Sequence, residues 1–183
     1  MLRSSRTLAI AITLSTLYSL GIGLLGPIYP MFVVSRFSAS IIDLGISYAI
    51  FCLVTAIFKI LAGRLADTHG KERIFFVGVM MGAVCSLGYV YVPSILHLYI
   101  IEFFFGVAHA LQRPSLLALM VDLSDRNRKS TVLGMFESIC DITEAAAALL
   151  STIIAGKIGF ETLFFLCSGC QATTGLFILK YKR

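Results

Sequence analysis

Six ionisable side chains stand inside otherwise apolar stretches of this 183-residue sequence: Glu102, His109 and Arg113 in one stretch, Glu137, Asp141 and Glu144 in another. Each set recurs at helical spacing, with Gly106 completing the first, so each forms one stripe on a helix. If the two helices run antiparallel, residues at equal depth share a constant index sum. Arg113 with Glu137, His109 with Asp141, and Gly106 with Glu144 each sum to 250. The register therefore predicts an Arg113–Glu137 ion pair, His109 and Asp141 near mid-depth, and Glu144 beside Gly106. Ionisable groups in apolar surroundings are costly and mark functional candidates unless they merely brace the fold. Four carboxylates against one arginine and one histidine leave negative charge unmatched. That chemistry suits proton exchange and a cationic or amine-bearing small molecule. Tyr18, Tyr29, Tyr48, Thr55 and Gln112 are weaker candidates for lining a pocket.

The elements that hold these groups are read from composition. Apolar residues make up 58% of the chain and charged residues 14%, against about 45–50% and about 25% in soluble domains. A helix needs about 20 apolar residues to cross a bilayer core of about 30 Å, and six runs qualify: 8–34, 41–61, 74–92, 95–121, 131–155 and 162–179. The expected fold is all-α, a single polytopic domain over 1–183 with six transmembrane helices. The ten-residue alternating segments of a membrane β-barrel do not occur. The first run exceeds a signal-peptide core and continues through Gly26-Pro27 and Tyr29-Pro30, so a retained helix is expected there.

Basic residues set the expected orientation. With both termini cytoplasmic, twelve fall inside: Arg3, Arg6, Lys59, Arg64, Lys71, Arg73, Arg126, Arg128, Lys129, Lys180, Lys182 and Arg183. Arg36 and Lys157 fall outside, and Arg113 lies within a helix. The net charge of +5 thus reflects orientation in the membrane, expected to be the cell or plasma membrane, with lipid as a partner and no role in binding nucleic acid. Cys167 and Cys170 have a CxxC spacing that could mean metal or redox chemistry, but within a lipid-spanning run they read as small packing residues. No nucleotide-binding loop, Ser/His/Asp set or metal constellation is recognisable, so neither an enzyme nor a cofactor or metal is expected.

Between the second and third runs the chain reads Gly63-Arg64-Leu65-Ala66-Asp67-Thr68-His69-Gly70-Lys71-Glu72-Arg73. This resembles the signature loop of the major facilitator superfamily, G-x-L-x-D-x-x-G-[RK]-x-[RK], with Thr68 where a base is usual. Gly26-Pro27-Ile28-Tyr29-Pro30 is similar to the family's first-helix exit, and Gly106, Pro114, Val121-Asp122-Leu123-Ser124 and Gly134 follow its order. The resemblance covers nearly the whole chain. It departs at Glu102, where an arginine is frequent, and at Ala145–Leu150 in place of the G-P-x-x-G-G stretch of many drug/proton antiporters.

The resemblance implies a half bundle built as a 3+3 inverted repeat, in which Ala62-Gly63-Arg64-Leu65 corresponds to Ala155-Gly156-Lys157-Ile158. It implies that Gly63, Asp67, Gly70, Lys71 and Arg73 form a conformational clamp on the cytoplasmic side, with Gly63 allowing a close helix approach and Gly70 the reversal. It also implies alternating-access transport of a small solute, with the cavity lined by the first and fourth helices. The length is that of one six-helix half, here resembling the N-terminal one, so a homodimer or a second six-helix unit is expected as partner. The alternatives are a membrane assembly subunit without transport and a truncated fragment.

Overall fold

The computed structural model describes residues 5–124 and 129–181, all helix and turn. Of the basic residues assigned a side above, Arg3, Arg126, Arg128, Lys182 and Arg183 lie outside the described residues. Seven helices follow in order: α1 Ser5–Gly23, α2 Tyr29–Phe37, α3 Ile41–His69, α4 Lys71–Val90, α5 Ile95–Asp122, α6 Lys129–Ile158 and α7 Phe160–Tyr181. The five from α3 onward are long and apolar enough to cross a membrane, and α1 contributes a shorter apolar stretch, Ala9–Gly23. The chain is an integral membrane protein.

The continuous helix expected over 8–34 is broken. Pro27 has no N–H to donate and its ring clashes with the carbonyl four residues back, which belongs to Gly23, the last residue of α1. The backbone steps through the break with Leu25 N–H to the Ile22 carbonyl (3.1 Å) and Tyr29 N–H to the Leu25 carbonyl (2.8 Å). Helix α2 then starts with Pro30 in its first turn, where a missing donor costs nothing. Together α1, the bend and α2 make one kinked crossing.

The second helix is longer than the run 41–61. Nothing between Ala62 and His69 forbids helix, and the Thr68 hydroxyl donates back to the Arg64 carbonyl (3.0 Å). The reversal comes at Gly70, at φ 96°, a conformation that strongly favours glycine. At the other end Ser40 and Asp43 form a reciprocal capping box, and the Tyr99 hydroxyl donates to Asp43 (3.0 Å), tying the start of α3 to the start of α5.

Helix α5 packs along α3 and α4, α1 packs along α6 and α7, and α4 meets α7, with lighter α3–α4 and α6–α7 contacts. Exchanging the first crossing with the fourth, the second with the fifth and the third with the sixth maps this scheme onto itself. The first three crossings run opposite to their counterparts, so the relation is the inverted 3+3 repeat. Only the α5–α6 contact lacks an equal among the main pairs.

Lipid is as apolar as a leucine side chain, so burial from water does not hold such helices together. Close packing and interhelical hydrogen bonds do. Tight glycine contacts of this kind occur in both repeats. A Cβ at Gly23 would stand 2.7 Å from the Glu144 Cα, and one at Gly106 would stand 3.0 Å from the Phe51 carbonyl oxygen. The Thr55 hydroxyl adds a hydrogen bond to the Gly106 carbonyl (3.1 Å). Two apolar cores fill opposite ends of the bundle, one around Tyr18, Phe75, Leu116 and Phe136 and the other around Phe32, Tyr89, Leu98 and Phe164. Between them lies a buried polar layer. There Gln112 donates to the Gly78 carbonyl (2.7 Å) and Cys167 to the Gly21 carbonyl (2.9 Å). Cys167 is thus a packing residue, and both it and Cys170 are free thiols.

Candidate functional site

The break between α1 and α2 opens a cavity of about 290 Å³. Half of its wall is the broken segment itself: Ile22, Leu25, Gly26, Tyr29 and Pro30. The rest comes from Tyr48 and Phe51 of α3, Tyr89 of α4, and Glu102 and Phe105 of α5. A Cβ at Gly26 would meet nothing within 4 Å, so the bend presents bare backbone to the space.

Glu102 is the one charged group in this wall, and its residue is only 4% exposed. The Tyr89 hydroxyl donates to its Oε1 at 2.7 Å. The buried Tyr29 hydroxyl lies near the same carboxylate without closing a hydrogen bond among the described residues. Among the described residues no cation pairs with Glu102. The surrounding rings are mutually packed: Tyr89 lies 5.8 Å from Tyr29 and 5.9 Å from Phe105, centroid to centroid, and Phe51 lies 5.9 Å from Phe105. An unmatched carboxylate inside an aromatic wall can hold an organic cation through Coulomb attraction and ring faces together.

A second polar station lies eleven residues further along α5, about 16 Å at the helical rise. Arg113 Nη2 donates to both carboxylate oxygens of Glu137, at 2.8 and 2.6 Å. The index-sum register therefore locates a real contact. It goes no further along the helices. His109 turns to α3, with its ring 5.3 Å from that of Phe51, and its Nδ1 has no hydrogen-bond partner among the described residues. Glu144 lies against α1 at Gly23, with the Ser19 hydroxyl beside it. Gly106 packs on α3, away from Glu144. Asp141 is exposed. The index sum assumes that α5 and α6 pack along their whole length, whereas their contact is light and the rest of each stripe meets another helix, α3 for His109 and α1 for Glu144.

The residues expected to form the clamp make a helix–turn–helix. Gly63 and Asp67 belong to α3, Gly70 is the hinge, and Lys71 and Arg73 open α4. A Cβ at Gly63 would meet nothing within 4 Å, so the close approach expected of it is not made inside this unit. Asp67 and Arg73 are exposed. Lys71 pairs with Asp122 at the end of α5, which joins the hinge to the end of the helix that carries the cavity glutamate.

Of the weaker candidates, Tyr29 and Tyr48 line the cavity, whereas Thr55 and Gln112 bond backbone carbonyls and Tyr18 is buried beside Arg113. Sequence reasoning missed Phe51, Tyr89 and Phe105, since aromatic residues in apolar helices have no distinguishing pattern. It also counted Lys59 only among the basic residues of the cytoplasmic side. With α3 running to His69, Lys59 sits ten residues inside the helix and is exposed. The stripe Tyr48, Cys52, Thr55, Lys59 at spacings of four, three and four could have shown it.

The profile of the Major Facilitator Superfamily matches residues 11–182, and the chain belongs to that family. It is 28% identical over 149 residues to an MFS-type transporter of Methanocaldococcus jannaschii, covering 81% of this chain and 37% of the relative. It is 28% identical to the multidrug resistance protein MdtL of Klebsiella pneumoniae, covering 79% of this chain and 38% of that protein. The MFS-type transporter YitZ of Bacillus subtilis is 24% identical over 157 residues, with 86% of this chain and 95% of YitZ covered. The chain thus spans under two-fifths of the first two relatives and nearly all of the third.

Proposed function

We propose that the chain forms half of a secondary transporter that moves a small cationic or amine-bearing solute by alternating access in exchange for protons. A second six-helix unit completes the cavity. The observation that carries this reading is Glu102, a carboxylate without an ionic partner buried in an aromatic wall at a helix break. The cavity lies at the lower end of the volumes small-molecule sites have, as expected of half a site. The name of MdtL, and that of the tetracenomycin C resistance and export protein of Streptomyces glaucescens, 26% identical over 116 residues, point the same way.

Glu102 and Glu144 lack ionic partners among the described residues and are the groups at which protons exchange. His109, with its free Nδ1, links the two stations, and Arg113–Glu137 braces α5 against α6. Gly63, Asp67, Gly70, Lys71 and Arg73 clamp the cytoplasmic side, both termini being cytoplasmic. The test is uptake of radiolabelled tetraphenylphosphonium into proteoliposomes with and without an imposed pH gradient. Gradient-driven uptake lost in Glu102→Gln is expected. Folded protein that moves no cation under any gradient overturns the reading.

A further inference from the structure

Helices α3 and α6 are the least enclosed of the long helices. Within their most apolar windows 11% and 17% of residues are buried, against 33–44% for α4, α5 and α7. They flank the bundle on either side of α1 and α5 and make no main contact with one another. Each nevertheless exposes one charge well within its span, Lys59 on α3 and Asp141 on α6. The chain turns three times between the end of α3 and the start of α6, so those two ends lie on the same membrane face. Lys59 stands ten residues from the end of α3 and Asp141 twelve from the start of α6, about 15 and about 18 Å at the helical rise. The opposite charges are at nearly one depth.

They also share a face. Lys59 continues the stripe whose Tyr48 lines the cavity and whose Thr55 bonds α5. Asp141 lies between Glu137, which Arg113 holds, and Glu144, which lies against α1. Glu137 is thus ion-paired and Glu144 packed against α1, and Asp141 is the exposed acid of the three. An exposed charge at this depth is costly in lipid unless it meets a partner. A two-fold axis along the membrane normal sets α3 of one copy against α6 of the other, twice, without inverting either copy. The face is self-complementary about that axis.

We propose that this face docks a second copy of the chain, with Lys59 of each protomer meeting the partner's Asp141 across the two α3–α6 contacts. This rests on the reading that a second six-helix unit completes the cavity, and it identifies that unit. Charge reversal tests it with full-length chains carrying two different tags. Lys59→Asp leaves a copy with two acids and Asp141→Lys a copy with two bases, so neither variant can satisfy its own interface. Mixed, they restore opposite charges at both contacts. Wild-type copies should co-purify across tags, each variant alone at least tenfold less, and the mixture within about twofold of wild type.

A second measurement does not depend on how the reversed variants fold. In a background with the five native cysteines replaced, copies carrying Lys59→Cys and copies carrying Asp141→Cys should cross-link on oxidation, and Lys59→Cys copies alone should not. Absent wild-type self-association, normal self-association of either variant, or absence of the mixed cross-link overturns the proposal. Wild-type dimers that move no cation refute the transport reading and leave the interface standing. Transport by Lys59→Asp protein that does not self-associate does the reverse.

Discussion

Two polar stations share helix α5 and differ in one respect. At Arg113 the charge is matched: one guanidinium nitrogen meets both oxygens of Glu137, with side chains 27% and 39% exposed. At Glu102 the charge is unmatched and more deeply enclosed, held by a tyrosine hydroxyl among rings. A matched pair is complete without a ligand and has nothing to gain from one. An unmatched carboxylate under an aromatic wall is incomplete, and a proton or an organic cation completes it. The two stations should therefore respond oppositely to neutralisation, one losing stability and the other losing transport.

The largest expected effect is at Glu102. Glu102→Gln keeps an acceptor for the Tyr89 hydroxyl and removes the charge that would hold a cation. Uptake of tetraphenylphosphonium should fall more than tenfold, while the melting temperature in detergent stays within a few degrees. If the variant unfolds and uptake by the remaining folded protein is unchanged, Glu102 is a brace and the contrast between stations disappears.

The matched station comes next. Arg113→Met leaves Glu137 without its partner. Removal of one member of a fully buried pair costs about 3–5 kcal/mol, and exposed pairs are worth about 0–1 kcal/mol. The partial exposure of this pair places the expected loss near 2 kcal/mol. The double variant Arg113→Met with Glu137→Met should recover most of that loss, read as thermal stability in detergent. A double variant no more stable than the single one would show that the pair is not a unit.

These two stations also show what was legible in the sequence. Span lengths fixed the crossings because a bilayer sets a minimum length, and the index sum found Arg113–Glu137 because antiparallel helices run in register where they touch. The sum failed for His109, Asp141 and Glu144 because α5 and α6 touch only lightly: His109 meets α3, Glu144 meets α1, and Asp141 stays exposed. The break at Pro27 was spelled out in the sequence, yet its consequence was not. A proline tells where a helix stops, not what the gap opens onto. Tyr89 and Phe105 were illegible for a related reason, since an aromatic ring facing a cavity and one facing lipid read alike in an apolar helix.

A smaller effect distinguishes binding by charge from binding by rings. Tyr89→Phe keeps the aromatic wall and removes the hydroxyl that donates to Glu102. A hydrogen bond to a charged group contributes about 1.5–3 kcal/mol, much of it redistributed when water or a ligand replaces the donor. The apparent KM for the cation should rise several-fold with kcat little changed. Tyr89→Leu, which removes the ring as well, should raise it further. Equal effects of the two variants would assign the whole contribution to the hydroxyl.

The smallest effect is expected where matched charge lies at the end of the bundle. Lys71 and Asp122 join the start of α4 to the end of α5, with side chains 25% and 56% exposed. Water competes for both groups there and salt screens them, so the pair should contribute about 0–1 kcal/mol. Lys71→Met or Asp122→Asn should shift the melting temperature by a few degrees at most, and raising the salt concentration should shrink the shift further. Salt should leave the Arg113→Met deficit nearly unchanged, because that pair lies within the span. Position along the membrane, not the presence of a salt bridge, then decides what each pair contributes. The comparison fails if both deficits shrink alike in high salt, for the inner station would then be as wet as the hinge. The hinge pair also has a use that stability does not measure. It ties the Gly70 turn to the helix bearing Glu102, so its loss should change how readily a single cysteine at position 48 reacts with a water-soluble maleimide while the fold persists. Unchanged labelling in Asp122→Asn would mean that the hinge and the cavity move independently.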